Sequence, residues 1–224
     1  MKRSPRVLCL ALTLLVGCMI LTGPSYAIPY GFENITNNNS VNAAIGESQL
    51  FVEVLPFLPS QVFFLFLNVG VHACSITDVY FDDGTPGNNF SGIWTLVDKD
   101  DGLFGHSGVD FSPGAAPPDL PGGTNVGFSA TPGLAADSDS PASSNGVNPG
   151  EYLGVILNLV SGRTLLDVIS AMNRGDLRIG LHVQSFPDGG SEAFATGGHV
   201  PEPSTLVLIG AGLFGFAFRR RQII

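Results

Sequence analysis

Gln61-Val62-Phe63-Phe64-Leu65-Phe66-Leu67 sets six bulky apolar residues in a row behind one amide. A bilayer-crossing helix needs about 20 apolar residues, so this run is too short to span. Aromatic and branched side chains favour extended backbone. Apolar residues at both odd and even positions leave neither face for water, and the run reads as a central strand buried on both sides. Outward from it, Asp78-Val79-Tyr80-Phe81, Ile93-Trp94-Thr95-Leu96-Val97 and Tyr152–Val160 are further strand candidates. Asp176–Phe186 alternates: Leu177, Ile179, Leu181 and Val183 share one face, while Asp176, Arg178, His182 and Gln184 share the other. That pattern predicts a half-buried antiparallel strand with His182 toward solvent.

Asp83-Gly84, Asp101-Gly102, Asn148-Pro149-Gly150 and Asp188-Gly189-Gly190 punctuate these runs with turn chemistry. One helix is expected. Thr164 and Asp167 form a capping pattern, Leu165, Val168, Ile169 and Met172 recur at helical spacing, and Gly175 closes it. Residues 112–150 are rich in Pro, Gly, Ser, Ala and Asp, and read as a long loop with one short strand near Asn125–Thr131. As a linker between two domains this stretch would leave neither side enough strands for a core. The fold class is therefore mainly β, an antiparallel β-sandwich with one short helix.

Charge is distributed unevenly along the 224 residues. Between 28 and 200 only Lys99, Arg163, Arg174 and Arg178 are basic, against 18 acids, a formal charge of −14. Such a surface repels phosphate backbones, so nucleic acid is excluded as a partner. Cys9 and Cys18 lie in the leader, which leaves Cys74 alone, and one thiol makes no internal disulfide.

Lys2, Arg3 and Arg6 precede an apolar run, Val7–Leu21. Ser25 and Ala27 then supply small residues at the −3 and −1 positions of a cleavage site. Residues 1–27 read as a secretory signal peptide, a short apolar helix cut after Ala27 by signal peptidase. A competing reading stays open, because Leu15-Val16-Gly17-Cys18 has the form of a lipobox in which Cys18 would be lipidated.

The carboxy end is the most informative. Pro201 and Pro203 bias their neighbours toward extended backbone, so Val200–Pro203 should be a peptide that a protease cleft can grip. Ser204–Phe218 has no charge, and as a transmembrane helix it would measure about 22 Å, short of a hydrocarbon core of about 30 Å. Arg219, Arg220 and Arg221 then stop transfer, each costing about 2.5–3.5 kcal/mol at the bilayer centre. The positive-inside bias leaves them in the cytoplasm and the preceding domain outside.

This order of parts resembles the PEP-CTERM sorting signal of Gram-negative bacteria. Pro201-Glu202-Pro203 matches its box, Ser204–Phe218 its apolar helix, and Arg219–Arg221 its basic end. The resemblance implies that exosortase, a membrane cysteine transpeptidase, removes the tail. The chain would be held at the inner membrane before processing and then reach the cell surface or a biofilm matrix, where exopolysaccharide is an implied partner. Residues 28–200 would form the extracytoplasmic domain and 201–224 the sorting signal. Ile28–Thr36, Gly146–Glu151 and Ser191-Glu192 are also similar to segments that recur in such proteins, and no activity is implied by them.

Candidate chemistry is sparse. Asp98-Lys99-Asp100-Asp101-Gly102 clusters carboxylates as a calcium loop does, without the spacing or distal glutamate of an EF-hand. Gly105-His106-Ser107-Gly108 misses the spacing of a nucleophile elbow. His72 and His199 lack neighbours at ligand spacing, and Asp82 and Asp83 close a strand. No catalytic residue, cofactor or metal is expected, and the chain reads as non-enzymatic with a structural or adhesive role. The alternative is a carbohydrate- or calcium-binding extracellular module, using the acidic loops together with Trp94 and Tyr80.

Overall fold

The computed structural model describes residues 28–84, 87–99 and 105–197. Ten strands run in the order β1 (Ile28–Asn34), β2 (Leu50–Pro56), β3 (Gln61–Asn68), β4 (Ser75–Asp82), β5 (Phe90–Val97), β6 (Phe111–Pro113), β7 (Ala135–Ser138), β8 (Tyr152–Leu159), β9 (Arg178–Gln184) and β10 (Glu192–Thr196). Helices α1 (Ser40–Gln49), α2 (Ala142–Asn145) and α3 (Leu165–Arg174) join them.

All strand pairings are antiparallel, in the spatial order β5-β8-β3-β2-β1-β10-β9-β4-β7-β6. The expected sandwich of two sheets is instead one sheet rolled almost into a barrel. The hinge is β1: Ile28–Gly31 pair with β2, while Phe32–Asn34 pair with β10. One strand thus passes from one half of the sheet to the other. The two ends of the order, β5 and β6, also meet, with the Lys99 N–H donating to the Val109 carbonyl and the Phe111 N–H to Asp98. The inward faces share a single core, where the rings of Phe64, Phe66, Phe81 and Phe90 pack edge to face at 5.1–6.3 Å. Edge-to-face contact suits the ring quadrupole.

The Gln61–Leu67 run becomes the interior strand β3, between β2 and β8. It is not buried on both sides. Val62, Phe64 and Phe66 are fully buried, whereas Phe63, Leu65 and Leu67 are half-buried on the outside. Neighbouring side chains shield them, and the Phe63 ring lies where a Gly154 side chain would stand.

Helix α3 forms as its sequence predicts, with the reciprocal Thr164–Asp167 capping box and Gly175 left-handed at its end. Its Val168, Ala171 and Met172 join the core. Helix α1 was not legible. Its apolar residues make a weak stripe, and Gly46 interrupts it in mid-helix. That glycine is required because the Phe194 ring lies 2.1 Å from where its Cβ would be.

The strand expected near Asn125–Thr131 is absent. Gly122 and Gly127 are left-handed and frame a 3-10 turn over Gly123–Val126, and the strand falls later, at Ala135–Ser138. The segment from Gly114 to Leu134 is a flap. Its Leu120 and Phe128 pack with Tyr80, Ala135, Ala193 and Ala195 as a second apolar cluster on the outside of the sheet. Gly180 makes room, since a Cβ there would sit 2.6 Å from Leu120 and 2.9 Å from Phe128. β6 and β7, on either side of the flap, are hydrogen-bonded into the same sheet.

Candidate functional site

The flap turns the outer face of β9, β4 and β7 into a covered surface. Along one row of that face lie His182, Asp78 and Asp137, directly opposite one another across the three strands. His182 therefore does not face solvent as the alternation suggested: its side chain is only 15% exposed, and Nδ1 lies 2.9 Å from Asp78 Oδ2. The Thr77 hydroxyl donates to that same oxygen at 2.9 Å. The other Asp78 oxygen, Oδ1, is buried without a hydrogen-bond partner among the described groups.

Burial and the adjacent Asp78 charge raise the Asp137 carboxyl above the usual carboxylate range, against a lowering contribution from the Ala116 N–H. Two carboxylates side by side in a partly dry site cannot both ionise cheaply. Asp137 stands directly opposite Asp78 across the two strands, so the two carboxyls oppose each other's charge. Tyr80 belongs to the same group. Its hydroxyl donates to the Pro117 carbonyl at 3.0 Å, and burial with the Asp78 and Asp137 charges pushes it up, so it stays neutral.

The cluster links sheet to flap, and a substitution tests that role. In Asp137→Asn the amide oxygen can still accept from Ala116, while the amide N–H₂ donates to Asp78. We expect a stabilisation of about 1 kcal/mol, or about 2–4 °C in Tm, at neutral pH. The sign with pH is fixed. The fold binds the Asp137 proton more tightly than the unfolded chain does. Its contribution is complete below the unfolded value and lost as pH rises through the folded one. The advantage of asparagine should therefore grow in thermal melts as pH rises above the unfolded carboxylate value, and an equal Tm throughout would refute the raised Asp137 value.

The other residues singled out in the sequence are placed as follows. Asp98 turns inward, its Oδ2 accepting the Phe111 N–H at 3.0 Å, and Lys99 pairs with Asp110. The Asp98 carboxylate is thus turned to the fold rather than to a calcium loop, and Asp100–Gly102 lie outside the described residues. No group of three or more His, Cys, Asp or Glu among the described residues could hold a metal ion. His106 is a loop residue, packed edge-on against Tyr152 at 5.4 Å. His72 is exposed and Cys74 buried. Tyr80 is fully buried, which removes it from any sugar-stacking surface, whereas Trp94 is exposed. Asp82 pairs with Arg178, whose guanidinium also lies 5.3 Å from the Phe128 ring centre. A polar cleft beside α3 is lined by Arg163, Asp167, Arg174 and Asp176. Its charges are spent locally: Asp167 caps α3, and Arg174 bonds Asp176 at 2.7 Å.

Sequence reasoning missed the densest polar site. Glu192 is buried, yet its oxygens accept from Asn34 Nδ2 at 3.0 Å, the Thr36 hydroxyl, the Asn38 N–H at 3.1 Å and the Asn39 N–H at 2.6 Å. Asp188 accepts from Asn39 and Asn42 beside it. Two of the segments set apart by resemblance, Ile28–Thr36 and Ser191-Glu192, meet here. Their amide-rich and acidic character was the available signal.

Fold and sites together describe a β-rich domain whose buried acids serve its own architecture. What addresses the chain lies at its carboxy end, where residues 199–221 match the PEP-CTERM protein-sorting motif. The motif marks an exported protein targeted to exosortase, with its carboxy end anchored in the membrane before processing. Pro201, Glu202, Pro203 and Arg219–Arg221 fall within the matched span; they lie outside the described residues, as do Ser25, Ala27, Cys18 and His199. No curated protein and no solved structure matches the chain.

Proposed function

We propose that this chain is a non-enzymatic envelope or matrix protein: signal peptidase cuts it after Ala27, exosortase removes its tail, and the β domain is displayed at the cell surface or released into the matrix. The observation that carries this reading is the sorting motif at 199–221, directly behind a domain whose last strand ends at Thr196. A chain beginning at Ile28 keeps all of β1, and with it the hinge of the sheet. The structural or adhesive role is supported by the way the buried acids are used. Asp83, Asp98 and Glu192 accept backbone N–H groups, as structural carboxylates do. Pro201, Glu202 and Pro203 are substrate residues in this scheme, gripped as an extended peptide.

Deleting Pro201–Glu202–Pro203 tests it. The variant should accumulate in the inner membrane with its tail intact, as read by fractionation and intact mass. Normal processing and release would overturn the proposal.

A further inference from the structure

Of the exposed large apolar residues, three come together. Phe57 and Leu58, 47% and 54% exposed, form the turn between β2 and β3, and Trp94 of β5 is 53% exposed. The Phe57 ring lies 6.0 Å from Trp94 and 6.4 Å from Phe63, centre to centre. Pro56 and Pro59 flank the turn, and Val54–Ser60 contains no charge. Scattered single apolar residues need no explanation, but a contiguous apolar tip on an otherwise strongly acidic domain points to a partner.

The strand register says where this tip lies relative to the chain's exit. In β10, Phe194 stands opposite Asn34 and Thr196 opposite Phe32, so the departing chain runs toward the start of β1. In the other half, Ile28 stands opposite Val54, three residues before Phe57. The chain thus leaves at the same pole of the rolled sheet that carries Phe57 and Leu58. β3 and β5 agree. Gln61, at the tip end of β3, stands opposite Asn158, which stands opposite Gly92, two residues before Trp94. From Gly197 to Ser204, where the apolar segment begins, seven residues reach at most about 25 Å. Whenever the carboxy-terminal segment is in a bilayer, the tether keeps this pole within about 25 Å of it.

We propose that Phe57, Leu58 and Trp94 form a membrane-contacting tip that rests in the interfacial layer of the bilayer holding the carboxy-terminal segment. This rests on the anchoring reading above. Tryptophan favours the headgroup level, where its ring is half apolar and its N–H is wet. The tip alone is a weak ligand, because the domain's net negative charge opposes anionic headgroups. A short tether, however, makes the contact intramolecular, with an effective concentration in the mM range. The tip then orients the domain while the sorting motif is intact, and cutting the tether releases both together.

Trp94 is the sole tryptophan of the chain, so its fluorescence reports the contact directly. The full chain with its carboxy-terminal segment intact is reconstituted into phosphatidylethanolamine–phosphatidylglycerol vesicles, with and without brominated acyl chains. Emission should shift to the blue and be quenched several-fold by the brominated lipid. The Phe57→Asp, Leu58→Asp double variant should lose both effects while keeping its far-UV circular dichroism and Tm. An unquenched Trp94 in chain that floats with the vesicles overturns the tip and leaves anchoring intact. Failure to float overturns anchoring and the tip together. Quenching that survives in the double variant, or shielding of Trp94 that follows protein concentration without lipid, also overturns the proposal, the latter in favour of a second copy of the chain.

Discussion

Glu192→Ala is expected to be among the most damaging single substitutions in the domain, costing about 3 kcal/mol or more. The reason is the asymmetry of hydrogen bonding. A made bond contributes about 1 kcal/mol net, but a buried donor left without an acceptor costs about 1–3 kcal/mol. Removing this carboxylate strands Asn34, Thr36, Asn38 and Asn39 at once. The loop they form sets the start of α1, whose cap is the Asn39 side chain accepting from the Val41 N–H at 2.8 Å. Glu192→Gln should be milder, at about 1–2 kcal/mol, since an amide oxygen in the Oε2 position retains three of the four donors and loses only the Asn39 N–H. Urea or thermal unfolding of both variants checks the ranking, and equal losses would mean that charge rather than acceptor count matters.

The same site gives the fold an acid limb. Burial acts to raise the Glu192 carboxyl, but the bonds from Thr36, Asn34, Asn38 and Asn39 outweigh it and hold the group below its ordinary value. A depressed folded value means the unfolded chain takes up the proton first. The contribution is therefore present above the unfolded value and lost as pH falls through the folded one. Asp137 runs the opposite way, its stabilisation fading as pH rises. The two contributions therefore run in opposite directions with pH, and Glu192→Gln should flatten the loss as pH falls while Asp137→Asn flattens the loss as pH rises above the unfolded carboxylate value.

The parts of the fold that were legible in sequence are those written in local chemistry. β4, β5, β8 and β9 follow from branched and aromatic runs, and α3 from its Thr164–Asp167 box and Gly175, because each signal is contained within the element. What could not be read is long-range. The roll of the sheet depends on β1 changing partners at Gly31–Phe32, and nothing in those residues announces it. His182 was placed in solvent because alternation reports which residues share a face, not what later covers that face. On that face Leu120 and Phe128, 62 and 54 positions before His182 in a Pro- and Gly-rich stretch, close over Tyr80 and Gly180, and Asp78 of the neighbouring strand holds the His182 ring. Helix α1 escaped because its stripe is weak and its glycine answers to Phe194, a residue of the last strand. The sorting motif was legible because it works as a linear peptide whose meaning needs no partner from elsewhere in the fold.

Asp83→Ala should cost the domain about 3 kcal/mol as well, by a parallel route at the opposite side of the core. Asp83 is fully buried at the end of β4. Its Oδ2 accepts the N–H groups of Asn89 at 2.7 Å and Phe90 at 2.9 Å, and Oδ1 accepts from the Asn89 side chain. Its own N–H donates to the Thr131 hydroxyl at 2.8 Å, which donates onward to the Gly84 carbonyl at 2.9 Å. The carboxylate therefore fixes where β5 begins, while the backbone N–H of the same residue, which alanine would keep, holds Thr131 where the flap returns to the sheet. Phe90 follows immediately and packs into the aromatic core, so a loosened β5 start also loosens that ring. Asp83→Asn should retain both backbone bonds and lose only the side-chain one, at about 1 kcal/mol. If alanine and asparagine unfold at the same urea concentration, backbone capture is not what Asp83 does. If they separate as expected, part of the domain's acidity is explained without a ligand: Asp83 and Glu192 act as internal acceptors for turns that the chain's own backbone leaves unpaired.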